Sequence, residues 1–216
     1  SELNYKEVAA SLEEQFFALD GLVHCAGILG PRTPIEFYSA DDWELTMRIN
    51  VSAAFLLTKY LLPFLKKSMD GRVVFTSSSV GRKARGHWGA YAVSKFALEG
   101  LMQVLADELD NTSKIRINSL NPGGIRTSMR RTAYPAENPS ANPPPEVLMP
   151  LYLYLFSSES RNINGQALNF KDFNPSIYSR PAPSTARRFQ RRANSSNVCC
   201  LGCAAPAEDS LCHYAR

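Results

Sequence analysis

The chain has 216 residues, of which 44% are apolar, 20% charged and 10% aromatic, enough to bury a core and too apolar for a disordered polypeptide. No apolar run reaches the roughly 18 residues a membrane-spanning helix needs, because the richest, 53–65, is broken by Lys59 and Pro63, so no membrane association is expected. The formal charge of +4 arises wholly after position 170: residues 1–170 hold 17 basic and 17 acidic side chains, and a balanced body argues against a nucleic-acid-binding face.

The first residues, Ser1 to Glu7, include neither an initiator Met nor a basic stretch leading into an apolar one; no secretory signal is expected, and the chain is expected to begin inside a longer protein. Leu12, Phe16 and Leu19 at helical spacing predict an amphipathic helix over 3–19. Asp20 and Gly21 then turn into Leu22-Val23-His24-Cys25-Ala26-Gly27, a short buried strand ended by glycine. Asp41 and Asp42 offer caps for a long helix with Leu45, Ile49, Ala53 and Leu56 on one side. Asp70 and Gly71 turn into a second strand, 72–78. A third helix runs from about Tyr91 to Leu109 and leads to a strand over 115–120. After an irregular proline-rich stretch, 145–156 reads as helix and 166–170 as a last strand. Strands alternating with helices give an α/β fold, a mostly parallel sheet with helices on both faces.

From Asn174 onward no helical or strand period survives, so the body is 1–170 and 171–216 reads as a disordered or non-native basic tail. Cys25 is the single thiol of the body, which suits a reducing cytosol, whereas Cys199, Cys200, Cys203 and Cys212 lie in the tail. Cys200-x-x-Cys203 followed by Cys212-His213 lacks a second well-spaced pair, so no metal site is expected. Nucleic-acid binding by the tail would rest on Arg187, Arg188, Arg191 and Arg192 alone and is not expected.

In open parallel sheets the chemistry collects just beyond the carboxyl ends of the strands. The segments there are Ala26-Gly27, Ser77 to Gly81, and Asn121 to Thr127. Tyr91 and Lys95 stand four residues apart, hence on one helical face. Composition alone supplies about one third of such a pair by chance, so the spacing gains weight only from its company. Ser78 ends a strand thirteen residues before Tyr91, and Pro122-Gly123-x-x-x-Thr127 follows the next strand with groups able to wrap a ligand. Asn50 interrupts an apolar helix face and needs a partner if buried. Taken singly these read as a serine loop, a turn and a satisfied core amide; their joint order does not.

Over 1–170 these pieces resemble the short-chain dehydrogenase/reductase family: His24-Cys25-Ala26-Gly27 in place of Asn-Asn-Ala-Gly, then Asn50, Ser78, Tyr91-x-x-x-Lys95 and Pro122-Gly123-x-x-x-Thr127. The stretches 75–82, 88–97, 102–108 and 149–155 are similar, more narrowly, to its YciK-like branch of bacterial oxidoreductases. The resemblance implies a Rossmann-like three-layer α/β/α sandwich, NAD or NADP as cofactor, a small alcohol or carbonyl substrate, and a homo-oligomer in the complete protein. It implies Tyr91 as acid/base with its pKa drawn down by Lys95, Ser78 on the substrate oxygen, and Asn50 holding a water that links Lys95 to solvent. Tyr91 and Lys95 would also meet the nicotinamide half, Lys95 at the ribose; Pro122, Gly123 and Thr127 would flank the carboxamide; Ala26 and Gly27 would lie along the adenosine half. Arg82, Lys83 and Arg85 read as a solvated loop or as attraction for an anionic substrate.

Two departures from the family pattern matter. Cys25 replaces an asparagine whose amide ties neighbouring strands, a task for which a thiol is a poor substitute. The first three strands and the glycine-rich turn that receives the pyrophosphate have no counterpart in the sequence. The sheet is therefore expected to be incomplete, with Leu22 to Cys25 as an unpaired apolar edge, and this chain by itself is expected to turn over weakly or not at all. A non-catalytic interaction or dimerisation protein built on the same helices is the alternative reading.

Overall fold

The computed structural model describes residues 1–174 and the backbone of 198–200. In chain order the elements are α1 (Glu2–Gln15), β1 (Gly21–His24), α2 (Ala40–Met47), a π turn (Arg48–Ser52), α3 (Ala53–Lys67), β2 (Arg72–Thr76), α4 (Gly89–Asp110), β3 (Arg116–Asn121), α5 (Ser128–Ala133), α6 (Met149–Leu155), β4 (Ala167–Asn169) and β5 (Val198–Cys200). The strands form one sheet in the order β4-β3-β2-β1-β5, every pairing parallel.

Alternation along the strands feeds two cores. Leu22, Val73, Phe75 and Ile117 point to one face, where they meet Leu61 and Leu65 of α3 and Leu98 and Met102 of α4. Val23, Val74 and Leu120 point to the other and meet Leu151, Tyr152 and Leu155 of α6. Burial on both faces is why β1 and β2 read as continuous apolar runs, and the result is the three-layer α/β/α arrangement expected from the sequence.

Several expectations need correction. The first helix stops at Gln15, because Phe16 turns extended; Phe17 points into solvent, and Leu19 reaches the core from a separate connection. Ser39, not Asp41 or Asp42, caps α2, its hydroxyl accepting from the Asp42 N–H, while the two aspartates occupy the first turn. The buried stripe of α2–α3 is Thr46, Asn50, Ala54, Thr58, Leu61 and Leu65, rather than the face through Leu45, Ile49, Ala53 and Leu56. Polar groups hold that stripe in place: the Thr58 hydroxyl lies 2.9 Å from His24 Nε2 and donates to the Ala54 carbonyl. The region 145–156 divides into a 3₁₀ turn and α6, with Pro150 in its first turn, where a missing N–H costs nothing. Within the stretch expected to be irregular, α5 forms under a Thr127 cap.

The apolar edge is not open. β5 pairs with β1 in parallel, Leu22 opposite Cys199, because an edge strand's N–H and C=O groups take any partner within reach. These three residues lie inside the tail, 171–216, expected to be disordered, and so do 171–174, which are ordered as well: a 3₁₀ turn spans Phe170–Asp172 and Phe173 packs 5.8 Å from the Tyr154 ring; 175–197 and 201–216 lie outside the described residues. No helix among the described residues is long and apolar enough to cross a membrane.

Candidate functional site

The carboxyl ends of β1, β2 and β3 open onto a cavity of about 320 Å³. Eight of the nine residues singled out in the sequence line it: Ala26 and Gly27 after β1, Ser78 after β2, Tyr91 and Lys95 from α4, Pro122 and Gly123 after β3, and Thr127 at the start of α5. Asn50 does not. It is buried in the π turn, where its Oδ1 accepts from the Ile28 N–H at 2.8 Å and its Nδ2 donates to the Ile28 carbonyl and to Ser94 Oγ, each at 2.9 Å. The side chain thus pins the loop after β1 against α4. The π turn adds a residue at the point where this amide faces inward.

Lys95 is 4% exposed and sits at the cavity floor, its Nζ donating to the Thr76 carbonyl at 2.8 Å. Gly81 makes that position possible: a Cβ there would stand 2.6 Å from Lys95 Cβ and 2.8 Å from its carbonyl carbon. Burial pushes the Lys95 pKa down to about 8, partly offset by Cys25 and Glu99 nearby. Tyr91 is buried and shares the cavity lining with Ser78. Its phenol was expected below the ordinary value, yet burial holds it above, with the Ser78 side chain only moderating the rise. The reason is geometric: the Lys95 ammonium is engaged with Thr76 and lies 5.6 Å from the Tyr91 ring centroid.

Arg82 is neither a solvated loop residue nor a free cation. Its guanidinium donates to Glu99 at 2.9 Å, Asn169 at 2.6 Å and the Leu168 carbonyl at 2.9 Å, while Ser119 donates to the other oxygen of Glu99 at 2.6 Å. This network staples the loop after β2 to β3 and β4. Lys83 and Arg85 are exposed and do not line the cavity. Cys25 retains a tie between strand ends, since Thr76 Oγ1 lies 3.6 Å from its sulfur and 3.2 Å from the Tyr152 hydroxyl.

Sequence reasoning missed Thr76, Ser94, Trp88 and Tyr152. A carbonyl acceptor such as that of Thr76 has no sequence signature, whereas Trp88, three residues before Tyr91, could have been flagged as a helical neighbour of the phenol. The cavity has features suited to the nicotinamide half of a dinucleotide. Ser77 Oγ is buried beside it without a hydrogen-bond partner, and Gly123 takes φ +75°, leaving its backbone uncovered by any side chain. For the diphosphate half these 216 residues offer no glycine-rich turn. Among the described residues no three His, Cys, Asp or Glu side chains come together as a metal cluster.

Comparison with known proteins gives a consistent set of likenesses. Residues 1–138 match the family model described as short chain dehydrogenase. The uncharacterized oxidoreductase YciK of Escherichia coli K12 is 47% identical over 166 residues, covering 77% of this chain, and the chain spans 65% of that protein's length. A short chain dehydrogenase structure from Pseudomonas syringae is 57% identical with a TM-score of 0.77, covering 78% of this chain and 68% of that one. One from Shigella flexneri 2a, solved in complex with NADP, is 47% identical with a TM-score of 0.76 and coverages of 78% and 70%.

Proposed function

Because this chain belongs to the short-chain dehydrogenase family, we propose that it carries the proton-handling centre of an NADP-dependent oxidoreductase that moves hydride between the cofactor and an alcohol or carbonyl compound. The observation that carries the reading is the convergence of Ser78, Tyr91 and Lys95 on one cavity at the strand ends. NADP is favoured over NAD because the relative from Shigella flexneri was crystallised with it.

The cofactor supplies or accepts the hydride when bound. Tyr91, a phenol protonated at neutral pH whose pKa burial moves further up, gives its Oη proton to the carbonyl oxygen. Ser78 donates a hydrogen bond to the same oxygen, where negative charge grows. Lys95, with a pKa of about 8, is mostly an ammonium at neutral pH, and its Nζ, held on the Thr76 carbonyl, puts positive charge at the cavity floor. Lys95 would hold the nicotinamide ribose, Pro122, Gly123 and Thr127 the carboxamide end, and Ala26 and Gly27 the adenosine half. Asn50 serves the site by position, fixing the loop that leads from Gly27. Cys25 as the single thiol of 1–170 supports a reducing, cytosolic setting.

The test is NADPH consumption with a panel of ketones by the complete protein. Tyr91→Phe should lower kcat by at least about 10²-fold. Activity that survives this substitution would place the proton donor elsewhere. A second reading, a non-catalytic interaction or dimerisation protein, draws on Phe55, Phe96 and Val104, which α3 and α4 leave 43–55% exposed. The same face would serve a homo-oligomeric enzyme, and a soluble monomer in light scattering would count against both uses.

A further inference from the structure

The cavity wall beside Tyr91 is aromatic. Trp88 packs 5.7 Å from the Tyr91 ring and 6.0 Å from Tyr134, centroid to centroid, and Leu29, Met129 and Ala133 complete the same apolar cluster. Two guanidiniums stand against this wall, Arg130 in the cavity lining and Arg32 outside it. Arg130, the one that lines the cavity, forms a two-pronged pair with Glu137 at 2.6 Å on both prongs and stacks 3.9 Å from Tyr134. Asn142 donates to the same carboxylate at 2.8 Å and fixes it in place. Arg32 lies over the outer faces of Trp88, at 4.6 Å, and Tyr134, with its Nη1 on the Ala133 carbonyl. Arg82 is tied to Glu99 and Asn169. The remaining cation of the cavity, Lys95, is bonded to Thr76 on the floor, where the function proposed above puts the ribose.

From this arrangement we infer that the substrate side of the cavity takes a neutral carbonyl compound with an apolar or aromatic face, seated on Trp88 and Tyr134, and turns away carbonyl compounds that carry a carboxylate. An anionic group entering here would shed its water with no unpaired guanidinium in the cavity lining to receive it, whereas a flat apolar group gains the ring contacts at no such cost. The selectivity device is Glu137: by neutralising Arg130 it keeps the wall closed to anions. The inference rests on the oxidoreductase reading, whose substrate it specifies.

Acetophenone and phenylglyoxylate are a matched pair of ketones that differ by a methyl against a carboxylate. They are titrated calorimetrically into the chain with NADP⁺ present, so that no hydride is available. Acetophenone should bind at least about tenfold more tightly. Glu137→Gln, which frees Arg130, should strengthen phenylglyoxylate binding about fivefold or more while leaving acetophenone within about twofold. Trp88→Leu should weaken acetophenone by about fivefold or more, and supplies an arm independent of whether the Glu137 variant folds. Equal or tighter binding of phenylglyoxylate by the unaltered chain, no binding of acetophenone, or no gain for phenylglyoxylate in folded Glu137→Gln overturns the inference. Acetophenone that binds as described but is never reduced by NADPH in the complete protein refutes the oxidoreductase reading and leaves the preference standing.

Discussion

His24 gives the most exacting test of how the sheet is held together. It closes β1 immediately before the cavity-lining Cys25, Ala26 and Gly27, is 5% exposed, lies 2.9 Å from Thr58 Oγ1 and stacks on Phe75 at 4.6 Å with a 15° interplanar angle. Burial pushes its pKa from 6.5 to about 3, with no acidic neighbour to oppose the shift. In the unfolded chain the imidazole takes up a proton near its ordinary value; in the folded chain it does not until about pH 3. As pH falls below 6.5 the unfolded state therefore binds more protons, and stability drops by about 1.4 kcal/mol per pH unit, about 2 kcal/mol by pH 5. The loss stops growing once pH passes below the folded value. His24→Gln keeps a polar group near Thr58 but cannot titrate. Urea unfolding of both proteins at a series of pH values isolates the effect, because carboxylates such as Glu2 and Glu137, also held below their ordinary range, titrate alike in both. The two stability curves should converge by about 2 kcal/mol between pH 7 and pH 5. Parallel curves, or a native-state imidazole resonance that titrates near pH 6.5 without loss of fold, would refute the reasoning.

Other perturbations test the site's scaffold. Gly81→Ala should destabilise the fold by about 2 kcal/mol and displace Lys95, visible as a lower urea midpoint and loss of cofactor-dependent activity. Lys95 titrates below its ordinary value, so the native state bears the cost of burying its charge below about pH 8 and regains stability as pH rises from there toward 10.5. Lys95→Met should accordingly raise stability at pH 7 by about 2 kcal/mol, after allowing for the lost bond to Thr76, while abolishing turnover; thermal melts at pH 7 and pH 10 should show the gain shrinking. Glu99→Gln leaves the Arg82 guanidinium without its carboxylate and should cost about 3 kcal/mol in chemical denaturation, part of which Arg82→Met combined with Glu99→Leu restores. Truncation after Asn174 removes β5 and bares the outer edge of β1, so light scattering should grow with concentration and time; a truncated chain as well dispersed as the full one would show that β5 does not protect that edge.

Local pattern in the sequence determined a good deal. Apolar runs bounded by Asp-Gly turns located β1 and β2, and the alternation with helices fixed a parallel sheet covered on both faces. A four-residue spacing put Tyr91 and Lys95 on one side of α4, and the rule that ligands gather at strand carboxyl ends led to Ser78, Gly27, Gly123 and Thr127. Hydropathy failed where burial is polar: the inward stripe of α2 and α3 includes Thr46, Asn50 and Thr58, whose partners come from distant segments. The cover on β1 arrives from Val198–Cys200, more than 170 residues downstream, a pairing no local period encodes. Arg82 shows the same limit, since a loop cation becomes an internal staple only once Glu99, Ser119 and Asn169 surround it. Tyr91 shows it most clearly. Its neighbour along the helix was legible, but the direction of its pKa was decided by desolvation and by the turning of Lys95 toward the Thr76 carbonyl, and both depend on atoms that only the folded chain brings together.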